Sequence, residues 1–363
     1  MKKILCVVGT RPEAIKMAPV ILALHEREDV QCHVLLTAQH RQLLDQALRV
    51  FNIQADTDLD IMTRGQTITD VTCHVLREMH VFLQDAKPDV VLAQGDTTTV
   101  MAAAMACFYA NIPFGHVEAG LRTYDLQAPY PEEYNRRLAA VSATCHFAPT
   151  PLARMHLLQE RIREETIFVT GNPVVDALRF IQKNTVMTDT VDITSPYVLM
   201  TCHRRESFGA SVRKIFDAVA EFARRHPELT IWYPVHPNPN VRDPAREILG
   251  TIANICLTDP CDYISFVHAM AGAAFIITDS GGVQEEAVCL GKPTIVLREI
   301  TERPEAVDCG ICKLVGTSYM AILAELERLT TTYKDSSVEE NPFGDGHAGT
   351  RIVNILCEGQ ILS

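Results

Sequence analysis

Several stretches of this sequence place glycines and charges where a strand would hand over to a helix. The first is Gly9-Thr10-Arg11-Pro12-Glu13-Ala14-Ile15-Lys16. A turn of this kind offers backbone N–H groups and the positive end of a helix dipole to an anion, with Arg11 and Lys16 as charge partners. It matches neither G-x-G-x-x-G nor a Walker A loop, so a nicotinamide dinucleotide or ATP lacks its usual motif. Taken alone, the same string also serves as an ordinary βα turn with a surface Arg and Lys. The second stretch is Asp279-Ser280-Gly281-Gly282-Val283-Gln284-Glu285-Glu286, at the end of an apolar run. Paired glycines let a backbone approach a phosphate closely, and Ser280 can add a hydrogen bond. Glu286, one helical turn in, is placed to accept from ribose hydroxyls. Downstream, Arg303 in Thr301-Glu302-Arg303-Pro304-Glu305 adds a cation on a loop at the same sheet edge. Diphosphate plus ribose is a nucleotide.

Carboxylates form the third signal. Asp96, in Gln94-Gly95-Asp96-Thr97-Thr98-Thr99, and Glu118, in His116-Val117-Glu118-Ala119-Gly120, each follow a strand-like run. A parallel sheet presents its chemistry at those strand ends. Asp96 before a threonine run also suits a helix N-cap. Glu118, flanked by Val117 and Ala119, has few structural uses, and burial there favours a raised pKa suited to proton transfer. Glu132 and Glu133 follow two prolines into a first helical turn, where acids favour the dipole without any catalysis. The run Thr201-Cys202-His203-Arg204-Arg205-Glu206 sets a histidine and two arginines after another strand, a pattern that suits an anion. Cys309-Gly-Ile-Cys312 has redox or zinc spacing but no second pair, and is read as packing thiols.

The elements that must position these groups follow from the apolar runs. Lys3–Val8, Gln31–Leu36, Val90–Gln94 and Phe114–Val117 read as strands, alternating with helical patterns over Glu13–Glu26, Arg41–Phe51, Thr67–Leu83 and Val100–Ala110. Strands apolar throughout belong to a parallel sheet covered on both faces, hence a doubly wound α/β domain. The pattern restarts after residues 182–196: strands at Tyr197–Met200, Thr230–Tyr233, Ala274–Thr278 and Pro293–Val296, helices at Val212–Arg225 and Val283–Leu290. The expected division is a first domain of residues 1–172, rejoined by a C-terminal helix at 347–363, and a second of residues 173–346. Sheets whose strand C-termini face each other would leave a ligand cleft. With 33 basic against 45 acidic residues, the net charge of −12 has the wrong sign for a nucleic-acid or anionic-membrane binder. No apolar run is long enough to span a bilayer, and the 12 cysteines read as reduced packing residues. A soluble, cytoplasmic protein is expected.

The segments GTRPEAIKMAP, TAQHRQLLDQ, GDTTT, GHVEAGLRT, PYPEE with NR, HRRESFG, PVHPNPNVR, TDSGGVQEEA, GKP and TERPEA together closely resemble the bacterial non-hydrolysing UDP-N-acetylglucosamine 2-epimerases. The likeness runs from Lys3 to Leu356 in the family's order. It implies two Rossmann-like domains facing across a cleft, the glycosyltransferase-B fold, and a cytoplasmic homodimer. It also implies reversible conversion of UDP-GlcNAc to UDP-ManNAc for surface polysaccharide synthesis, with no metal and no other cofactor. Matched position by position, the family's acids fall on Asp96, Glu118 and Glu132, and its phosphate-side histidine on His203. Its UDP site falls on Arg11, Lys16, Phe266, Ser280, Gly281, Gly282, Glu286 and Arg303, with Phe266 against the uracil. Many bacterial members use a second UDP-GlcNAc as activator, at positions matching Gln39, His40, Gln42 and His236. This chain departs from them in having Gly65 before Gln66-Thr67, with Arg64 one place earlier, and in Gln94 and Cys202. The rival readings are a hydrolysing 2-epimerase that releases ManNAc and UDP, a glycosyltransferase of the same fold, and a non-catalytic UDP-sugar sensor.

Overall fold

The structure is a computed structural model that describes residues 1–37, 41–61, 63, 65–186, 196–204, 208–332 and 340–358. The chain divides into two compact units, Met1–Arg179 with Phe343–Ser363, and Phe180–Pro342. The first unit runs β1 (Lys2–Val8), α1 (Arg11–His25), β2 (Val30–Leu36), α2 (Arg41–Val50), β3 (Thr57–Asp58), α3 (Ile68–Ala86) and β4 (Val90–Gln94). It continues with α4 (Thr98–Ala110), β5 (Phe114–Val117), α5 (Glu132–Ser142), β6 (Cys145–Ala148), α6 (Pro151–Gln159), β7 (Ile167–Val169) and α7 (Pro173–Asn184). The second runs β8 (Tyr197–Thr201), α8 (Ala210–Arg225), β9 (Thr230–Pro234), α9 (Pro239–Leu249), β10 (Ile255–Thr258), α10 (Tyr263–Gly272) and β11 (Phe275–Thr278). Then come α11 (Gly281–Leu290), β12 (Thr294–Val296), α12 (Pro304–Asp308), β13 (Cys312–Leu314) and α13 (Tyr319–Thr332), before α14 (Ala348–Glu358) returns to the first unit.

Each unit holds one all-parallel sheet, in the order β3-β2-β1-β4-β5-β6-β7 and β10-β9-β8-β11-β12-β13. Both orders reverse direction once, between β1 and β4 and between β8 and β11. At such a switch point successive crossovers leave on opposite faces, so the loops after the two strands part and expose backbone N–H groups. The glycine turn and Asp96 therefore share one switch point, and His203 and Asp279 share the other.

The strands are buried on both faces, as their apolar runs require: every residue of β4 and β5 is buried. Helix α4 is apolar all round because most of it is buried between β4 and β5 and helices α3 and α5, with Phe108 and Tyr109 exposed near its end. The expected strands and helices form, with ends moved by up to three residues; of the C-terminal helix expected at 347–363, α14 covers Ala348–Glu358, and residues 359–363 lie outside the described residues. The sequence patterns gave no separate sign of β3, β6, β7, β10 and β13, which have two to four residues each and are too short for a period to register.

The unit boundary falls inside α7, between Arg179 and Phe180, not before the helix. The returning chain is stitched to the first half of α7 and to the residues just before it. Asn172 N donates to the Phe343 carbonyl at 2.8 Å, and Asp176 accepts from Ala348 N at 3.2 Å and Gly349 N at 2.9 Å. Gly349 is required there, since a Cβ would meet the Pro19 carbonyl oxygen at 2.7 Å. Among the described residues no helix is long and apolar enough to cross a membrane.

Candidate active site

In the first unit, Glu118 follows β5 directly and sits one register step beyond the Gln94–Val117 pair. Its φ is +65°, a left-handed conformation that non-glycine residues rarely hold. Its buried carboxylate accepts from donors at three separate places in the chain. Lys16 Nζ from α1 and Asn172 Nδ2 at 2.9 Å meet Oε1, and Gln94 Nε2 from the end of β4 meets Oε2. Lys16, expected beside a phosphate, is thus the charge partner of Glu118 within this unit.

Asp96 lies on the next loop over. The N-cap of α4 is Thr97, whose side chain accepts from Val100 N at 3.3 Å, so the Asp96 carboxylate is not spent on capping. It pairs instead with Arg136 Nη2 at 2.5 Å, while Asn135 Nδ2 holds the Asp96 carbonyl at 3.0 Å. Arg136 also meets Glu133 at 3.3 Å, and Glu133 accepts from the N–H groups of Thr123 and Tyr124, both at 3.1 Å. Of the two acids that open α5, Glu133 is therefore the fully buried tie between loops, and Glu132 is the half-buried one before it.

The glycine turn differs from its expectation. Gly9 N and Thr10 N, which were to face an anion, donate to Glu13 Oε2 at 2.6 and 3.2 Å. The turn closes on its own capping acid because Glu13 is the third residue of the helix it opens. Glycine is needed at position 9, where a Cβ would lie 2.6 Å from the hydroxyls of Thr37 and Thr99. Burial pushes the Glu13 carboxyl up to about 7, against the opposing pull of its hydrogen bonds. Arg11, the first residue of α1, is half-buried. Behind the acids, buried His116 meets the carbonyl of Gly95 through Nε2 at 2.7 Å. Gly95 has φ +89°, so this contact holds the backward turn that aims Asp96. Burial pushes the His116 ring down to about 3 and keeps it neutral.

In the second unit, Asp279 directly follows β11 with its side chain fully buried. Its Oδ2 accepts from His203 N at 2.7 Å and Arg204 N at 2.8 Å, and its Oδ1 lies 3.2 Å from His203 Nδ1. Burial raises the Asp279 carboxyl, but the His203 ring and the two N–H groups outweigh it and hold the carboxyl below its usual range. The His203 ring stacks on His236 at 5.7 Å. Ser280 is the N-cap of α11, and Gly281 and Gly282 are its first residues. A Cβ on Gly281 would meet Arg303 Nη1 at 2.4 Å, so this glycine makes room for a guanidinium. Arg303 is no open-loop cation. It is buried between Glu285, at 2.6 Å, and Glu302, at 2.5 Å, and Glu302 is shared with Arg298 at 2.8 Å. Glu286 accepts from the Tyr263 hydroxyl at 2.6 Å, and Phe266 lies half-buried on α10 with Tyr263. Gln39 and His40 lie outside the described residues, as do Arg64 and Arg205; Gln42 is in α2, its side chain undescribed. Among the described residues no group of three or more His, Cys, Asp or Glu could hold a metal ion.

The sequence profile described as UDP-N-acetylglucosamine 2-epimerase matches residues 22–357. This chain belongs to that family. It is 50% identical over 373 residues to the UDP-N-acetylglucosamine 2-epimerase of Yersinia pestis, covering 99% of both chains. Among solved structures it is similar to the UDP-GlcNAc 2-epimerase of Neisseria meningitidis bound to UDP-GlcNAc, with a TM-score of 0.93 and 43% identity over 98% of this chain and 100% of that one. It is equally similar to MnaA of S. aureus in a co-structure with UDP, with a TM-score of 0.94 and 42% identity over 100% and 98%. The two-sheet α/β architecture is shared with these family structures.

Four partners in the site escaped the sequence reading as side chains with a role: Arg136, Asn172, Gln94 and Asp279. Arg136, Gln94 and Asp279 stand within or beside a motif already singled out; Asn172 does not, but it alone carried a local hint. Asn172 follows a glycine and precedes a proline, the signature of a turn that opens a helix.

Proposed function

We propose that this protein interconverts UDP-GlcNAc and UDP-ManNAc without releasing the sugar. A carboxylate takes the C2 proton while the C1–O bond to the diphosphate breaks, giving 2-acetamidoglucal and UDP. The UDP oxygen then re-forms its bond to C1, and C2 receives a proton on the opposite face. Such a sequence needs two proton-transfer groups and a cation set for the departing diphosphate. The observation that carries the reading is the pair of acids on neighbouring strand ends, Asp96 after β4 and Glu118 after β5, each ion-paired on one side by Arg136 and Lys16. We assign Asp96 and Glu118 to C2, Glu132 to the supporting acid–base network, and His203 with Arg11 to the charge that develops on UDP. Ser280, Gly281, Gly282, Glu286, Phe266 and Arg303 belong to the nucleotide-binding unit. The full-length likeness to named 2-epimerases supports the substrate. The reading extends to a cytoplasmic homodimer serving surface polysaccharide synthesis, as the quoted motifs imply.

The test is NMR of the purified protein with UDP-GlcNAc in heavy water, following anomeric, C2 and phosphorus signals together. UDP-ManNAc deuterated at C2, with the diphosphate still esterified, is expected. Accumulation of free ManNAc and UDP would instead mean that water adds to the glycal, and the protein would be a hydrolysing 2-epimerase.

A further inference from the structure

We propose that Asp279 is a positioning residue that fixes the ring state of His203, so that Nε2 becomes a charged donor to the UDP diphosphate and UDP binding takes up a proton. This rests on the assignment of His203 to the diphosphate. The geometry starts from the backbone. Thr201 and Thr278 pair in register at the ends of β8 and β11, so the next residues, Cys202 and Asp279, leave the sheet side by side. The fully buried Asp279 then spends Oδ2 on the N–H groups of His203 and Arg204, which locks the loop that carries the ring. Oδ1 is buried too, makes no hydrogen bond of good geometry among the described residues, and lies 3.2 Å from His203 Nδ1. A buried carboxylate oxygen must be satisfied by a donor, and the ring nitrogen facing it is placed to be one. Nδ1 therefore carries the hydrogen.

The consequence follows from imidazole chemistry. With its one hydrogen on Nδ1, a neutral ring has only a lone pair at Nε2 and repels a phosphate oxygen. It becomes a donor there only as the imidazolium. The side chain of His203 is 39% exposed, so Nε2 can exchange its proton with solvent. Among the described residues, the other charged or titratable groups near the ring include His236 stacked on it, Arg204 and Cys202 beside it, Tyr233, whose hydroxyl donates to the Cys202 carbonyl at 2.9 Å, and Glu302, which lies 3.8 Å from Arg204.

Asp279→Asn separates the alternatives because it keeps the shape. The two loop N–H groups still need an acceptor, so the amide oxygen takes the place of Oδ2 and the NH₂ turns to Nδ1. The neutral ring must then carry its hydrogen on Nε2, a donor without proton uptake. The experiment uses full-length protein. Nitrogen-15 spectra of the histidine rings, with the His203 signal assigned by its loss in His203→Gln, are recorded at pH 8 with and without UDP. Calorimetry of UDP binding in buffers of different ionisation enthalpy counts the protons. The expected wild-type result is a hydrogen on Nδ1 alone in the free protein and on both nitrogens with UDP. UDP affinity should fall as pH rises, and Asp279→Asn should remove about one proton of uptake and flatten that slope. A free wild-type ring with its hydrogen on Nε2, or a slope that survives Asp279→Asn, overturns the proposal; the first arm needs no variant to fold. If His203→Gln leaves UDP affinity unchanged, the assignment of His203 itself falls, and this inference falls with it.

Discussion

The Lys16–Glu118 pair allows a quantitative test of how the first unit holds its charge. Both side chains are under one-tenth exposed, and the carboxylate is further held by Asn172 and Gln94. Lys16→Met removes the cation that meets this buried carboxylate. Glu118→Gln leaves the ammonium facing an amide. Breaking a buried pair from one side costs about 3–5 kcal/mol, because the remaining charge stays desolvated without compensation. The unit comprises Met1–Arg179 and Phe343–Ser363, 200 residues in all. At roughly 2–4 °C per kcal/mol for this size, each single substitution should lower its melting temperature by roughly 6–20 °C. The double variant Lys16→Met with Glu118→Gln removes both charges and keeps an acceptor for the amide donors, so its loss should be smaller than either single loss. Calorimetry is the assay for the first unit. The sole tryptophan, Trp232, belongs to the second unit, and its fluorescence follows that unit separately. A shift below about 3 °C in both single variants, or a double variant whose loss equals the sum of the two, would refute the argument that this pair is buried and mutually compensating.

Four further outcomes can be checked. The Glu13 carboxyl holds its proton to about 7 in the folded chain against 4.5 as its ordinary value, so it favours folding below about 4.5 and that contribution is lost as pH rises through 7, by up to about 3 kcal/mol. Glu13→Gln, which cannot ionise, should therefore gain on wild type in melting temperature between pH 5 and pH 8, and a constant gap would count against it. The His116 ring takes a proton in the folded chain only near 3, against 6.5 as its ordinary value. Its stabilising share is present above 6.5 and lost toward 3, so His116→Gln, still able to donate to Gly95, should unfold less steeply with acid, as circular dichroism would show. Asp96→Asn should cut epimerisation by two orders of magnitude or more while UDP still binds; a near-normal rate would remove Asp96 from the chemistry. Arg303→Ala should lower stability by about 3–5 kcal/mol by breaking its buried ion pairs with Glu285 and Glu302, so thermal unfolding should show the loss before any UDP titration is interpreted.

The sequence made the scaffold legible because parallel strands buried on both faces must be continuously apolar, and because their functional residues must follow them. Asp96, Glu118, His203 and Ser280 could be picked out on that ground alone. Their partners could not. Arg136 is 40 residues from Asp96, Asn172 is 54 from Glu118, and Asp279 is 76 from the His203 amide it holds. Nothing local distinguishes such residues from a surface arginine, a turn asparagine or a capping aspartate; only sheet order brings them together. The glycine turn failed for the opposite reason. Its donors were read as open to a ligand when Glu13, three residues further on, was local enough to claim them.

The charges at these strand ends argue for chemistry over scaffolding. A buried ion pair seldom adds stability over apolar packing of the same volume, and a non-glycine residue at φ +65° costs about 1–3 kcal/mol more. Glu118 carries both costs together, and Asp279 is a fully buried carboxylate held by the N–H groups of His203 and Arg204. If packing alone had shaped these positions, an aliphatic side chain in an unstrained conformation would serve better. What the observed arrangement does provide is orientation. Donors from separate elements hold the oxygens of Glu118 and of Asp279, and a guanidinium holds Asp96, before any substrate arrives. Groups fixed in this way need little reorganisation when a proton moves, and that is the condition under which buried charge lowers a barrier.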